Sequence, residues 1–325
     1  MSDLSLKLPI LAVTRLKFTA DLERPLQLPA HAGALLRGVF GAALRQGACT
    51  MGLPRCSDCP LLRSCAYPSI FETPTRPEQF ALRYSQLPNP YIIEPPPGPA
   101  ALRSGEPLKF SMVLVGEATQ GQLPLIVNAW QRALRSGIGR SRVSGRLQSV
   151  DAVDSRGQVT KAFDLGAFCS LGELPALDLA ALMPVGSSVP SHLHITFGSP
   201  LRLQHDAKPL SPEQLTPRVF MSHLLRRLSL VLELHLGVTL PFDMAGLLSE
   251  AERITHDKSQ LKWRELRRYS ARQNQELPQG GVLGVWSWSG SLVTLLPWLL
   301  LGQWFHVGKG ATAGLGGYTL KVGAV

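Results

Sequence analysis

Residues His306 to Tyr318 read His-Val-Gly-Lys-Gly-Ala-Thr-Ala-Gly-Leu-Gly-Gly-Tyr, and this stretch, close to the end of a 325-residue sequence, organises the reading of the rest. Glycine has no Cβ, so a loop this rich in it can bring several backbone N–H groups onto one anionic group, with Lys309 adding a mobile charge. A phosphate-rich ligand is the functional reading, with contacts from Gly308, Lys309, Gly310, Gly314 and Gly316. The bland alternative is a glycine-rich turn before a last strand. Two nucleotide-binding loops are excluded by spacing. A Walker loop needs four residues before Gly-Lys-[Ser/Thr], whereas five separate Gly302 from Gly308 and Gly310 follows the lysine. A dinucleotide fingerprint needs G-x-G-x-x-G opening a helix, and Gly308, Gly310 and Gly314 are one residue too far apart.

A net charge of +10 with pI near 9.7 calls for a polyanionic partner, nucleic acid first. The longest apolar run, Leu292 to Phe305, is broken by Pro297 and Gly302 and is too short to span a bilayer. Asp3 and Lys7 interrupt any secretory h-region, so a cytoplasmic protein without membrane contact is expected. A hydrophobic fraction of 45% and a charged fraction of 17% are globular values, and the length suits two domains.

Working outward, β-favouring residues over 8–20 predict a first strand. Leu35, Leu36, Val39, Phe40, Ala43 and Leu44 recur at three- and four-residue steps, predicting a helix from Ala34 to Gln46 that projects Arg37 and Arg45. Those arginines are either solvated surface or phosphate contacts. The proline-rich segment 67–107 is expected to hold little regular structure. A strand over 109–116, a helix over 123–136 and a strand over 142–153 follow, separated by Gly137-Ile138-Gly139-Arg140-Ser141-Arg142, a shorter echo of the C-terminal loop. The second half repeats the cycle: strand 192–203, helix 212–236, strands 262–270 and 282–290, helix 291–301, glycine loop, final strand. The expected fold is α+β, two ferredoxin-like units over 1–190 and 191–325, the first with a Cys-rich, Pro-rich insertion at about 48–107.

Four of the five cysteines, Cys49, Cys56, Cys59 and Cys65, are spaced C-x6-C-x2-C-x5-C. In a cytosolic protein disulfides are disfavoured, so a structural zinc is expected, an iron–sulfur cluster being the second choice and small packing residues the bland one. Cys169 stands alone and is expected in the core. His192 and His194 share a strand face, most simply a half-exposed one. Trp286 and Trp288 alternate onto one face and are assigned to core packing.

The C-terminal stretch resembles the signature of the CRISPR-associated RAMP endoribonucleases. So, in order, do Leu36-Arg37-Gly38-Val39-Phe40-Gly41 followed by Cys49, then Arg268-Tyr269-Ser270-Ala271-Arg272-Gln273, then Gly280-Gly281-Val282-Leu283-Gly284. The resemblance implies tandem ferredoxin-like domains and cleavage of precursor CRISPR RNA within its repeats. The implied reaction needs no catalytic metal: the ribose 2′-hydroxyl attacks the adjacent phosphate, leaving a 2′,3′-cyclic phosphate. A histidine would move protons, and lysine or arginine would stabilise the added charge. Ala42 and Ala43 stand where some relatives carry that histidine, which leaves His31, just before the helix, and His306, beside the glycine loop, as candidates, with Lys309 as the phosphate contact. Arg140, Arg142, Arg268 and Arg272 would hold RNA phosphates and Tyr269 would support a base. The expected partners are CRISPR repeat RNA and other subunits of a CRISPR effector complex. Two competing readings are a non-catalytic RNA-binding subunit of the same superfamily and an unrelated zinc-stabilised nucleic-acid-binding protein.

Overall fold

A computed structural model describes residues 10–74, 87–169, 174–183, 190–240, 242–270 and 275–322, the side chains of 268–278 and 322 excepted. The chain is α+β with antiparallel sheets. In the first half the central strand is β1 (Val13–Leu22). Helix α1 (Gly33–Ala48), strands β2 (Tyr91–Glu94) and β3 (Leu108–Val115), helix α2 (Leu123–Ser136) and strand β4 (Gly145–Val153) follow, and β5 (Val159–Asp164) and β6 (Ala167–Phe168) extend the edge. The sheet order is β2-β3-β1-β4-β5-β6, antiparallel throughout. Each crossover through a helix therefore skips one strand, which the other crossover supplies.

Helix α2 has the predicted ends because both are set by local chemistry. Pro124 in the first turn is already at a helical φ and needs no donor, and Gly137 leaves the helix at φ +90°. Its Ile126, Val127, Trp130 and Leu134 face Leu36, Phe40 and Leu44 of α1 and Phe18 and Phe110 of the sheet, with Trp130 stacked 5.0 Å from Phe40. Strand β2 corrects the reading of 67–107 as nearly structureless. Tyr91, Ile92 and Ile93 are fully buried at the sheet edge, and a short helix, Ala66–Phe71, precedes it.

The second half runs β7 (His192–Leu201), α3 (Pro217–Leu236), α4 (Met244–Glu252), β8 (Thr255–Asp257), β9 (Lys262–Arg264), β10 (Gly281–Ser289), α5 (Leu296–Phe305) and β11 (Thr319–Val322). Strands β8 and β9 both pair with β10, then come β7 and β11, so the order of the first sheet recurs. Helix α3 is capped by the Thr216 hydroxyl, which accepts from Val219 N–H, and ends at Gly237 in the left-handed region. Helix α5 begins five residues later than the apolar run suggested, because Pro297 is tolerated only in the first turn. The strand expected over 262–270 is broken: Arg267–Ser270 leaves the sheet and pairs with Gln275–Pro278.

Trp286 and Trp288 are buried, as the alternation implied, against Phe197 and Phe220, on which Tyr318 also packs. Leu11, Val13, Ile92, Val113 and Val115 of the first half belong to the same core. Helices α3 and α5 are thus held between the two sheets, which is why α5 is apolar nearly all round. Close approach there is fixed by Gly302, where a Cβ would lie 2.2 Å from the Tyr318 hydroxyl, itself donating to Leu299 O at 2.6 Å. Cys169 is exposed rather than in the core, since it lies past the last strand of that edge, with its N–H on Ala162 O.

Candidate active site

The glycine loop leaves α5 and runs back onto the first half of the chain. Gly33, in the first turn of α1, has no room for a Cβ: one would lie 1.8 Å from Ala313 O. Gly314 packs in the same way against Ile93 O and Pro95 of the β2 end. Gly308, Gly310, Gly314 and Gly316 have φ between +68° and +88°. The glycines therefore serve close packing and left-handed backbone rather than an open phosphate cradle. The N–H groups of Val307, Lys309 and residues 313–317 are taken up within the protein, for example by Arg202 O, Pro200 O and the Ser199 hydroxyl. Gly314 and Gly316 are buried, while Gly308 and Gly310 are half-buried and Lys309 is exposed. Lys309 is thus the part of the loop that a phosphate would meet.

His31 stands where α1 begins and faces this loop, with Nε2 2.7 Å from Ala313 O. A carbonyl only accepts, so Nε2 carries the proton and Nδ1 is the basic nitrogen. Burial lowers the pKa of His31, the bond to Ala313 opposes that, and the nearby His306 lowers it further, so the ring is neutral at neutral pH. This is the protonation state of a general base.

His306 lies beneath the loop. Its ring is 4% exposed, a Cβ on Gly317 would meet it at 2.6 Å, and its backbone has φ +54°, unusual for a residue with a side chain. Nε2 is 3.3 Å from Glu94 Oε1 and donates to it, leaving Nδ1 buried with no partner among the described residues. His306 is buried where His31 is half-buried, and the two rings lie at one place on either side of the loop.

Three residues that the sequence did not single out hold this arrangement. Glu94, at the end of β2, takes Arg15 of β1 at 3.0 Å from Oε1, with Arg15 Nε 2.9 Å from Oε2 but poorly aligned for a hydrogen bond. Burial works to raise the Glu94 pKa, but the Arg15 charge and the His306 bond outweigh it and the carboxyl is held below its ordinary value. Arg15 also lies 4.1 Å over the Trp304 ring and donates to Gln303 O, both on α5. Arg227 of α3, half-buried, donates to Phe305 O and His306 O at 2.8 and 2.9 Å, and desolvation pushes its pKa down to about 10. It closes the carbonyl end of α5 and fixes the turn that carries His306.

The remaining expected residues are dispersed. Arg37 lies 4.3 Å over Phe71, and Arg45 donates to the carbonyls of Leu53 and Pro54, so both have internal contacts in place of the free projection expected. Arg140 and Arg142 are exposed on the first unit's loop, beside Arg24, which donates to Ser141 O. Arg268 and Tyr269 are on the hairpin outside the main sheets, and Arg272 lies outside the described residues. His192 and His194 are exposed and bonded to the hydroxyls of Ser191 and Ser287, the bland reading of that face. Cys49, Cys56, Cys59 and Cys65 line one small cavity. As placed, no three His, Cys, Asp or Glu among the described residues are gathered closely enough to hold a metal ion. No helix among them is long and apolar enough to cross a membrane.

Comparison with known proteins agrees with this architecture. Residues 195–318 match the family of the CRISPR-associated endoribonuclease Cas6, and residues 8–167 match a family described as an N-terminal domain. No curated protein matches. Among solved structures, a partial Cas6-RT-Cas1–Cas2 complex is 16% identical over 98% of this chain and 47% of its own, with a TM-score of 0.57. The chain spans about half the length of that protein. Two Cas6 product complexes, 14% and 17% identical, are each covered to 99% by 95% of this chain, with TM-scores of 0.53 and 0.51. Residues 195–318 thus match the Cas6 family, and the fold of the whole chain is that of the Cas6 structures.

Proposed function

We propose that the chain binds CRISPR repeat RNA and cuts precursor CRISPR RNA within its repeats. The recurrence of one strand order in both halves supports two ferredoxin-like units, the first carrying the Cys-rich insertion. The observation that carries the activity is His31: a neutral imidazole with Nδ1 as base, held by Ala313 O at the one place where the glycine loop meets α1. In the reaction His31 Nδ1 takes the proton of a ribose 2′-hydroxyl as its oxygen bonds to the adjacent phosphorus. The bond from phosphorus to the 5′ oxygen then breaks, that oxygen leaves as a hydroxyl after taking a proton from a water molecule, and the His31 imidazolium returns its proton to the hydroxide so formed, through solvent. Lys309, exposed on the loop, stabilises the charge on the phosphorane. The step needs only proton transfer and charge stabilisation, so it proceeds without a catalytic metal. Glu94, Arg15 and Arg227 act through His306 and the loop and are positioning residues. Partners of the RNA-bound chain would be other CRISPR proteins, in line with the Cas1–Cas2 assembly named for one structural neighbour.

The test is cleavage of labelled repeat RNA in EDTA. His31→Ala should lower the single-turnover rate by roughly 10²–10⁴-fold and leave affinity within a few-fold. His306→Ala should act chiefly on stability, since its ring is sealed from the surface. A wild-type chain that binds repeat RNA and never cuts it would favour the non-catalytic subunit.

A further inference from the structure

The segment from Cys49 to Cys65 has no core of its own. None of its residues is buried, and its regular structure is a single 3-10 turn, Cys56–Asp58. Its least exposed residues are the four cysteines with Leu53 and Leu62, and all six face one cavity of about 20 Å³, enough for one water-sized sphere. The ends of the loop are fixed: Cys49 closes α1 through its N–H to Arg45 O, and Cys65 precedes the helix Ala66–Phe71, which packs into the first core. So little apolar burial does not fold 17 residues into one shape, and small units of this kind are held by a cross-link.

We propose that Cys49, Cys56, Cys59 and Cys65 bind a single structural zinc ion that folds this loop. The donor set is all sulfur, with no carboxylate or imidazole in the lining, which selects a soft, tetrahedral ion. The short turn between Cys56 and Cys59, closed by Cys59 N–H to Cys56 O, is the kind that presents two sulfurs to one ion. Each thiol releases its proton as the ion binds, and Arg55 in the lining with Arg45 behind it offsets the resulting negative charge. The sulfurs line the cavity without yet closing on one point; changes of χ1 rotamer in a loop with no buried residue bring them together.

The experiment is elemental analysis of the full chain purified under reductant, beside the Cys56→Ser/Cys59→Ser variant, with cobalt(II) added to metal-stripped wild type. The expected results are about one zinc per chain in wild type, loss of most of it in the variant, and cobalt absorption bands of a tetrahedral thiolate site. The cobalt spectrum of wild type decides the matter if the variant does not fold. Wild type that takes up neither zinc nor cobalt, that carries iron with sulfide, or that holds the four sulfurs as disulfides under reductant would overturn the proposal. None of these readouts depends on RNA cleavage.

Discussion

Replacing Glu94 with glutamine tests whether the Arg15–Glu94–His306 group holds the two halves together. The change keeps shape and removes charge. Arg15 loses a carboxylate at 2.9 and 3.0 Å, and the His306 Nε2–H bond at 3.3 Å becomes neutral. Breaking a fully buried ion pair costs about 3–5 kcal/mol. Here the Arg15 and Glu94 side chains are 24% and 20% exposed, so water offsets part of that. The glutamine oxygen also keeps one acceptor, and Arg15 keeps its stacking on Trp304. About 2–3 kcal/mol remains, which for a chain of this size lowers the melting temperature by roughly 5 °C or more. Urea and thermal unfolding near neutral pH would measure it, and the double change Arg15→Met/Glu94→Leu should recover most of the loss by removing both charges together. A Glu94→Gln protein within about 0.5 kcal/mol of wild type, the range of ordinary surface changes, would refute the reasoning.

Two further outcomes follow from the same geometry. With His31 as the proposed base and its pKa held below the ordinary value, single-turnover cleavage should stay on its plateau at neutral pH and fall only as pH drops below about 6.5; a half-maximal rate above that would remove His31 as the base. Repeat-RNA affinity should fall steeply with added salt, and exchanging Lys309 for alanine should lower the slope of log K against log salt by about 0.7–0.9; an unchanged slope would take Lys309 away from the phosphates.

What the sequence showed depended on how local the determining chemistry was. Helix α2 was legible to the residue, because a proline and a glycine mark its ends. Strand β2 was not, since four residues within a proline-rich stretch carry no period and are buried by neighbours distant in sequence. The glycine loop stood out, but its glycines were read as room for a ligand, and the structure uses Gly308, Gly314 and Gly316 as room for its own backbone. Both kinds of close approach leave the same trace in sequence. Arg15, Glu94 and Arg227 were passed over for a related reason: each looks like an ordinary charge on a strand, a strand end or a helix, and is drawn partly out of solvent because α3 and α5 lie between two sheets.

That layering also explains why the two similar halves are not equivalent. Each has a turn that begins at positive φ, at Gly137 after α2 in the first and at His306 after α5 in the second, and each continues into a bridge, Ile138 to Val143 and Arg202 to Gly308. The first turn is short, stays at the surface and presents Arg140 and Arg142. The second is longer, and α5 rests on the first sheet, so its loop reaches α1 and places Ala313 O on His31. Neither half contains the site alone: the imidazole comes from one, the carbonyl that fixes its tautomer from the other, and the Arg15–Glu94–His306 contacts tie the elements that bear them. Loosening that tie should therefore lower cleavage under conditions where both halves remain folded, since the tautomer of His31 is lost before either core opens.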